Sequence, residues 1–199
     1  MPQPTIYFVR HGETDWNAAG RLQGSRDIPL NDIGLRQASG IGLILRDLLA
    51  RAHRSPDDFP YVASPLIRAT QTMDRVRAEL RLPVEGYARD DRLRELSYGG
   101  WEGLTMDEIR ARDAALFARR TRDKWDTPPP GGESYAVMTR RVASWRAELA
   151  VDTVVVAHGG TMRALMFLTG LAGPEEAADM RIEQGVVYVF TDGAMSKYG

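Results

Sequence analysis

The sequence predicts an α/β domain, a three-layer sandwich in which a mostly parallel sheet carries helices on both faces and a small helical cap is inserted. Three observations predict it. Short continuous apolar runs rich in Val, Ile and Tyr alternate with longer stretches at helical spacing, the pattern of a parallel sheet covered on both sides. Two of those runs end in the same corner, His11-Gly12 and His158-Gly159. One region, from about 89 to 132, breaks the alternation and ends in Pro128-Pro129-Pro130-Gly131-Gly132, as an excursion from the sheet would. With 199 residues, 43% of them hydrophobic, the chain has apolar material for one substantial core, so 1–199 is read as a single domain with the cap inserted.

The elements follow in order. Thr5 to Val9 reads as a buried strand. Leu35, Ala38, Ile41, Leu45, Leu48 and Leu49 recur at three- and four-residue intervals behind a cap at Asn31 or Asp32, which predicts an amphipathic helix. Tyr61-Val62-Ala63 is a short strand, and Ser64-Pro65 reads as an N-cap with proline at the first helical position, placing Arg68 in the first turn. Leu66, Ala69, Met73, Val76 and Leu80 form that helix's core stripe, and a short strand is expected near Val84 to Tyr87. Inside the cap, the capping box Thr105-Met106-Asp107-Glu108 starts a helix. A helix from Ser134 turns Met138, Val142, Trp145 and Leu149 inward. Thr153 to Ala157 is a buried strand, Thr161 to Leu168 a helix stopped at Gly170, and Gly185 to Thr191 the last strand.

The bulk composition restricts function. A formal charge of -1 gives no general attraction to nucleic acid or an anionic membrane, so neither is expected as a partner. With no cysteine, thiolate metal sites and disulfides are excluded. The Met1-Pro2-Gln3-Pro4 start lacks a leader pattern and no run reaches the roughly 20 apolar residues of a membrane span, so a cytoplasmic location is expected.

In an open parallel sheet, ligands bind at the carboxyl ends of strands. That rule brings the two His-Gly corners together, and the 61–63 strand delivers Arg68 to the same edge. Arg10, Arg68 and two histidines would repel one another without an anion among them, and a phosphoryl group fits best. The glycines let backbone N-H groups approach it, and a helix N-terminus beginning near Gly160-Thr161 favours negative charge. Binding alone does not call for histidine, whose ordinary pKa is about 6.5. Chemistry does: a neutral imidazole can attack phosphorus while a second, protonated one steadies the oxygens. The leaving alkoxide needs a proton, for which Glu95 is the candidate and Glu13 the runner-up.

Several blocks then follow in sequence order: Arg10 to Asn17 (RHGETDWN), Gly20 to Ala38, Ala63 to Thr72 (ASPLIRATQT), Leu93 to Gly103 (LRELSYGGWEG), Pro129 to Ser134 and Val154 to Leu165 (VVVAHGGTMRAL). Together they resemble the histidine phosphatase superfamily, in its phosphoglycerate-mutase-like branch. The resemblance implies that His11 is the nucleophile, that Arg10, Arg68 and His158 bind the phosphoryl group with help from Asn17 and the Gly159 backbone, and that Glu95 rather than Glu13 moves the proton. No cofactor and no metal is expected, because there are no cysteines and no paired histidines at ligand spacing, and Arg10 and Arg68 already provide the positive charge a metal would supply.

Candidate contacts to the organic half of a small-molecule phosphomonoester are Arg21, Gln23, Gly24 and Arg94, with Arg163 a further anion-binding candidate. Trp16, Tyr98 and Trp101 are read as packing, His53 as solvated, and Met138, Met162 and Met166 as core. The leading expectation is a metal-independent phosphatase working through a phosphohistidine on His11. A phosphoglycerate-mutase-type phosphotransferase is the rival, disfavoured because mutases of this family are longer before the proline-rich stretch and at the C-terminus. A non-catalytic phospho-ligand binding module is the alternative of another class, and the presence of both His11 and Glu95 argues against it. The physiological substrate and the oligomeric state stay open.

Overall fold

A computed structural model describes residues 3–199; Met1 and Pro2, part of the N-terminal stretch read as lacking a leader, lie outside the described residues. The sheet is built from β1 (Ile6–Arg10), β2 (Tyr61–Ala63), β3 (Ala88–Arg89), β4 (Thr153–Ala157), β5 (Val187–Thr191) and β6 (Ala194–Tyr198). Their spatial order is β3-β2-β4-β1-β5-β6. The first four run parallel to one another and β5 and β6 pair antiparallel, so the sheet is mostly parallel, as expected.

Side chains alternate across the strands and divide the core in two. Ile6, Phe8, Val155 and Tyr188 face a cluster with α6 (Tyr135–Ala147), α7 (Gly159–Leu168) and α8 (Pro174–Asp179). Val9, Val154, Val156 and Val187 face the opposite cluster, with α2 (Asp32–Arg51) and α3 (Ile67–Glu79). The remaining helices are α1 (Asp15–Ala18), α4 (Met106–Arg112) and α5 (Ala114–Arg122). The last two lie in the excursion between β3 and α6, whose base is tied to the loop after α1 by Leu22 N-H to the Leu104 carbonyl (3.0 Å) and Gly103 N-H to the Leu22 carbonyl (2.8 Å).

Several local expectations are corrected. Helix α3 starts at Ile67, not Pro65; Leu66 occupies the cap position without a side-chain bond, and Asp27 Oδ1 accepts the Ile67 N-H at 2.6 Å. Strand β3 forms at Ala88–Arg89 rather than 84–87, where Val62 and Ala63 offer it a partner. Helix α7 begins at Gly159 with His158 as its cap residue, two positions before the expected start. Helix α6 ends at Ala147, so Leu149 packs against the core from outside it. Strand β6 was not expected, yet Asp192-Gly193, both at positive φ (47° and 76°), is the turn that a tight hairpin requires. Among the described residues no helix is long and apolar enough to cross a membrane.

Met73 is fully buried between α3 and the sheet, whereas Leu43 is 40% exposed on α2. Met73→Ala should cost about 2–5 kcal/mol of unfolding free energy and Leu43→Ala within about 0.5 kcal/mol, read from urea denaturation midpoints.

Candidate active site

The site forms where β1 and β4 end together. Their parallel register pairs Arg10 with Ala157, and His11 N-H continues the ladder to the Ala157 carbonyl at 3.0 Å. His11 and His158 therefore emerge side by side, their ring centroids 5.1 Å apart. Both are buried, as is Arg68, which α3 sends in from the end of β2.

The backbone at His11 turns through a crossing that only glycine permits. A Cβ on Gly12 would lie 2.4 Å from the Gly34 carbonyl oxygen, and one on Gly34 would lie 2.1 Å from the Glu13 carbonyl oxygen. The loop thus lies flat on the first turn of α2. Thr72 Oγ1 accepts the Gly12 N-H (3.0 Å), Gln37 Oε1 accepts the Glu13 N-H (2.8 Å), and Asn31 donates to Glu13 Oε1 (3.0 Å). Glu13 holds the loop and lies outside the cleft lining.

His11 Nδ1 lies 2.7 Å from the Gly12 carbonyl oxygen, which can only accept, so Nδ1 carries the proton and Nε2 the lone pair. Arg68 Nε-H donates to that lone pair at 3.3 Å. Burial holds the His11 imidazole well below the ordinary histidine value, and the charges of Arg68 and Arg10 lower it further. His158 is lowered in the same way by burial, then by Arg68 and His11. Burial and the neighbouring guanidiniums thus oppose a positive charge on either ring, the reverse of what a protonated second histidine needs. Ser64, read from sequence as a helix cap, instead lies with Oγ 2.7 Å from His158 Nε2 while accepting Leu66 N-H. The hydroxyl can donate to Nε2 or accept from it, and Nδ1 is buried with no partner among the described residues.

The arginines are fixed by carbonyls. Arg68 gives Nη1 to the Arg26 carbonyl (2.7 Å) and Nη2 to the Gly24 carbonyl (2.9 Å). Burial lowers it to about 10, so it remains charged at neutral pH. Arg10 gives Nη1 to the Ile182 carbonyl (2.5 Å) and leaves Nε buried without a partner among the described residues. Arg163, on α7, donates Nε to the Met180 carbonyl (3.0 Å) and Nη1 to the Tyr135 hydroxyl (3.2 Å). A Cβ on Gly159 would meet Arg163 Nη1, Arg10 Nε and Glu95 Oε2 at 3.4, 3.8 and 4.0 Å, so these three groups surround one small space that glycine keeps open.

Glu95 enters from the excursion. Its Oε1 accepts the N-H groups of Leu96 (2.8 Å) and Gly160 (3.0 Å), leaving Oε2 toward the cleft. Sequence reading missed what holds it there: Arg141, on α6, donates to the carbonyls of Arg92 (2.6 Å), Arg94 (2.8 Å) and Glu95 (3.2 Å) and pairs with Glu133. Its position on a helix otherwise read by its apolar residues gave no signal. Gln184, also missed, donates to the His11 carbonyl (3.0 Å) and to Asn17 Oδ1 (3.2 Å).

The cleft, about 120 Å³, is lined by Arg10, His11, Arg68, Glu95, Gly159 and Asn17 together with Arg21, Gln23, Gly24 and Arg163. Gly24, at φ +54°, leaves room for Glu102 Oε1, which accepts the Ser25 N-H (2.8 Å) and secures the loop whose carbonyls grip Arg68. Arg21 reaches the lining but directs Nη1 to Glu108 and the Gly103 carbonyl. Arg94 does not reach it: the side chain turns outward to Asp91 (2.6 Å), a correction that follows from Arg141 drawing the Arg94 carbonyl inward. Among the described residues no three His, Cys, Asp or Glu side chains converge as a metal-binding group.

The family model of the histidine phosphatase superfamily (branch 1) matches residues 6–193. A 2,3-bisphosphoglycerate-dependent phosphoglycerate mutase of Beijerinckia indica is 33% identical over 93% of this chain and 90% of its own length. A mycobacterial glucosyl-3-phosphoglycerate phosphatase structure superposes with a TM-score of 0.78 at 28% identity, over 94% of this chain and 89% of that one. A putative alpha-ribazole-5'-P phosphatase structure from Escherichia coli shares the fold, with a TM-score of 0.80 at 23% identity over 98% and 95%. Nearly equal lengths correct one expectation: the mutase relative is too close in size for chain length to separate the two activities. With the family model spanning all but the ends, and paired histidines and arginines meeting at the strand ends it covers, the chain belongs to the histidine phosphatase superfamily.

Proposed function

We propose that this protein is a metal-independent phosphomonoester hydrolase that works through a phosphohistidine on His11. The observation that carries the reading is a neutral imidazole, its Nδ1-H fixed to the Gly12 carbonyl, presenting Nε2 to a cleft walled by guanidiniums and the Glu95 carboxyl group. Nε2 attacks phosphorus and the bond to the ester oxygen breaks; Glu95, entering this step as the carboxylic acid, delivers its Oε2 proton to the departing alkoxide and is left a carboxylate. Arg68 Nε-H moves from the lone pair to a phosphoryl oxygen as attack proceeds, and Arg10, Arg163 and the N-H groups at the start of α7 take the rest of the charge. Glu95 then draws a proton from water, which attacks phosphorus, breaks the P-N bond and restores the imidazole. Asn17 is held beside His11 by Gln184 and its capping box with Thr14, within reach of a phosphoryl oxygen.

A second reading is a mutase, favoured by the names of the 33–34% identical relatives. With 2,3-bisphosphoglycerate present, a mutase interconverts the phosphoglycerates faster than it releases phosphate; a hydrolase does the reverse. A binding module turns over nothing.

His11→Ala should lower hydrolysis of p-nitrophenyl phosphate by more than about a thousandfold and abolish acid-labile phosphoenzyme, while EDTA leaves the parent enzyme unchanged. Glu95→Gln should slow alkyl monoesters by about 10²–10⁴ and p-nitrophenyl phosphate much less, because only a poor leaving group needs the proton. Equal losses for both would remove Glu95 from that role.

A Cβ at Gly160 would lie 2.3 Å from Glu95 Oε1 and 3.0 Å from the Met138 sulfur. Gly160→Ala should therefore displace the carboxylate and cut kcat on alkyl monoesters by about tenfold or more, with a smaller change in KM.

Because both imidazoles are neutral in the fold, NMR titration should show neither His11 nor His158 protonating near pH 6.5. The unfolded chain takes up those protons below about pH 6.5 while the folded chain does not, so stability is complete above that pH and falls as pH drops below it. Denaturation midpoints that do not fall between about pH 6.5 and 5 would contradict the burial argument.

A further inference from the structure

A second cavity of about 130 Å³ adjoins the phosphate cleft, and Leu22, Tyr98 and Arg163 line both. Any group esterified to a phosphate in the inner cleft can extend into it. Its walls are aromatic: Tyr98, Trp101, Phe117 and Tyr135. Trp101 is fixed by Nε1-H to Asp113 Oδ2 at 2.6 Å, so the ring is a rigid wall.

The cations around this cavity are each held in place by a partner. Arg120 donates to the Thr127 carbonyl and lies about 6 Å from the Tyr98 and Tyr135 ring centres. Lys124 pairs with Asp179. Arg163 Nη1 lies 3.4 Å from where a Gly159 Cβ would stand, so its charge serves the inner cleft. Arg21, on the neighbouring loop, is bonded to Glu108 (3.0 Å) and the Gly103 carbonyl (2.6 Å). Trp101 and Tyr135 are 2% and 3% exposed, so the ring surface open to a flat apolar group is chiefly that of Tyr98 and Phe117, which such a group covers without breaking any of these contacts.

Resting on the hydrolase reading above, we infer that the substrate is a monoester whose leaving group carries an aromatic or heterocyclic ring system, seated between Tyr98, Trp101 and Phe117. Neither a phosphoglycerate nor a small alkyl phosphate fills the outer cavity.

The test compares kcat/KM for 2-naphthylmethyl phosphate, ethyl phosphate and 3-phosphoglycerate, all esters of alkanol leaving groups. Naphthylmethyl phosphate should lead each of the others by at least about tenfold, the effect expected for burying one aryl face. Phe117→Ala should shrink that lead by about tenfold, and Thr121→Trp, which fills the cavity mouth from an exposed position, should shrink it too. Equal or better use of 3-phosphoglycerate overturns the inference while leaving a hydrolase. If no ester is turned over, the hydrolase reading fails on its own. The pocket is then judged by calorimetry: 2-naphthylmethylphosphonate binding at least about tenfold tighter than methylphosphonate supports it, and equal binding overturns it.

Discussion

The register in which β1 pairs with β4 is the constraint on which the rest depends. Arg10 opposite Ala157 brings the next residue of each strand, an imidazole in both cases, to the same height on the sheet edge. Side chains in a strand alternate between faces, so a slip of one residue would send Val9 and Val156 to the wrong core and separate the two rings. The apolar residues of both faces therefore hold the histidines in place, and no contact between the rings is needed to bring them together.

That placement has an electrostatic consequence. Three guanidiniums lie around two buried imidazoles, with Glu95 the carboxylate that faces them. Protonating either ring would add a positive charge where little water reaches, so the rings stay neutral and the site stores an unmet demand for an anion. The same burial that makes His11 a poor cation leaves the Nε2 lone pair unprotonated. Arg68 Nε-H, resting on that nitrogen, is displaced only when something more negative arrives. The three arginines leave donors toward the cleft because their other N-H groups are bound to backbone carbonyls, which fix direction without cancelling charge.

A second layer makes this precise in space. Arg141 binds three carbonyls of the 92–95 backbone and so aims Glu95, and Glu102 does the same for the loop that grips Arg68. Glycines 12 and 34 let the His11 loop touch α2 through backbone alone, with no side chain between them to flex. The excursion that supplies Glu95 also builds the aromatic cavity, so one element shapes both the carboxyl side of the cleft and the space beside it.

The sequence by itself determined the sheet-and-helix alternation, the two His-Gly corners and the convergence of Arg10 and Arg68, because those signals are local: apolar periodicity, a glycine after a strand, and order along the chain. The residues alone left Glu95 open against Glu13, and only the family resemblance chose between them. Nor could they show that Arg94 turns to Asp91 while Arg163 turns inward, since an arginine in a loop and one on a helix look alike until the backbone around them is placed. Ser64 read as a cap for the same reason, its hydroxyl being bonded to a histidine far along the chain. The protonation of His158, the aim of Arg141 and the walls of the outer cavity depend on burial and on partners distant in sequence, and these exist only once the tertiary structure has closed around them.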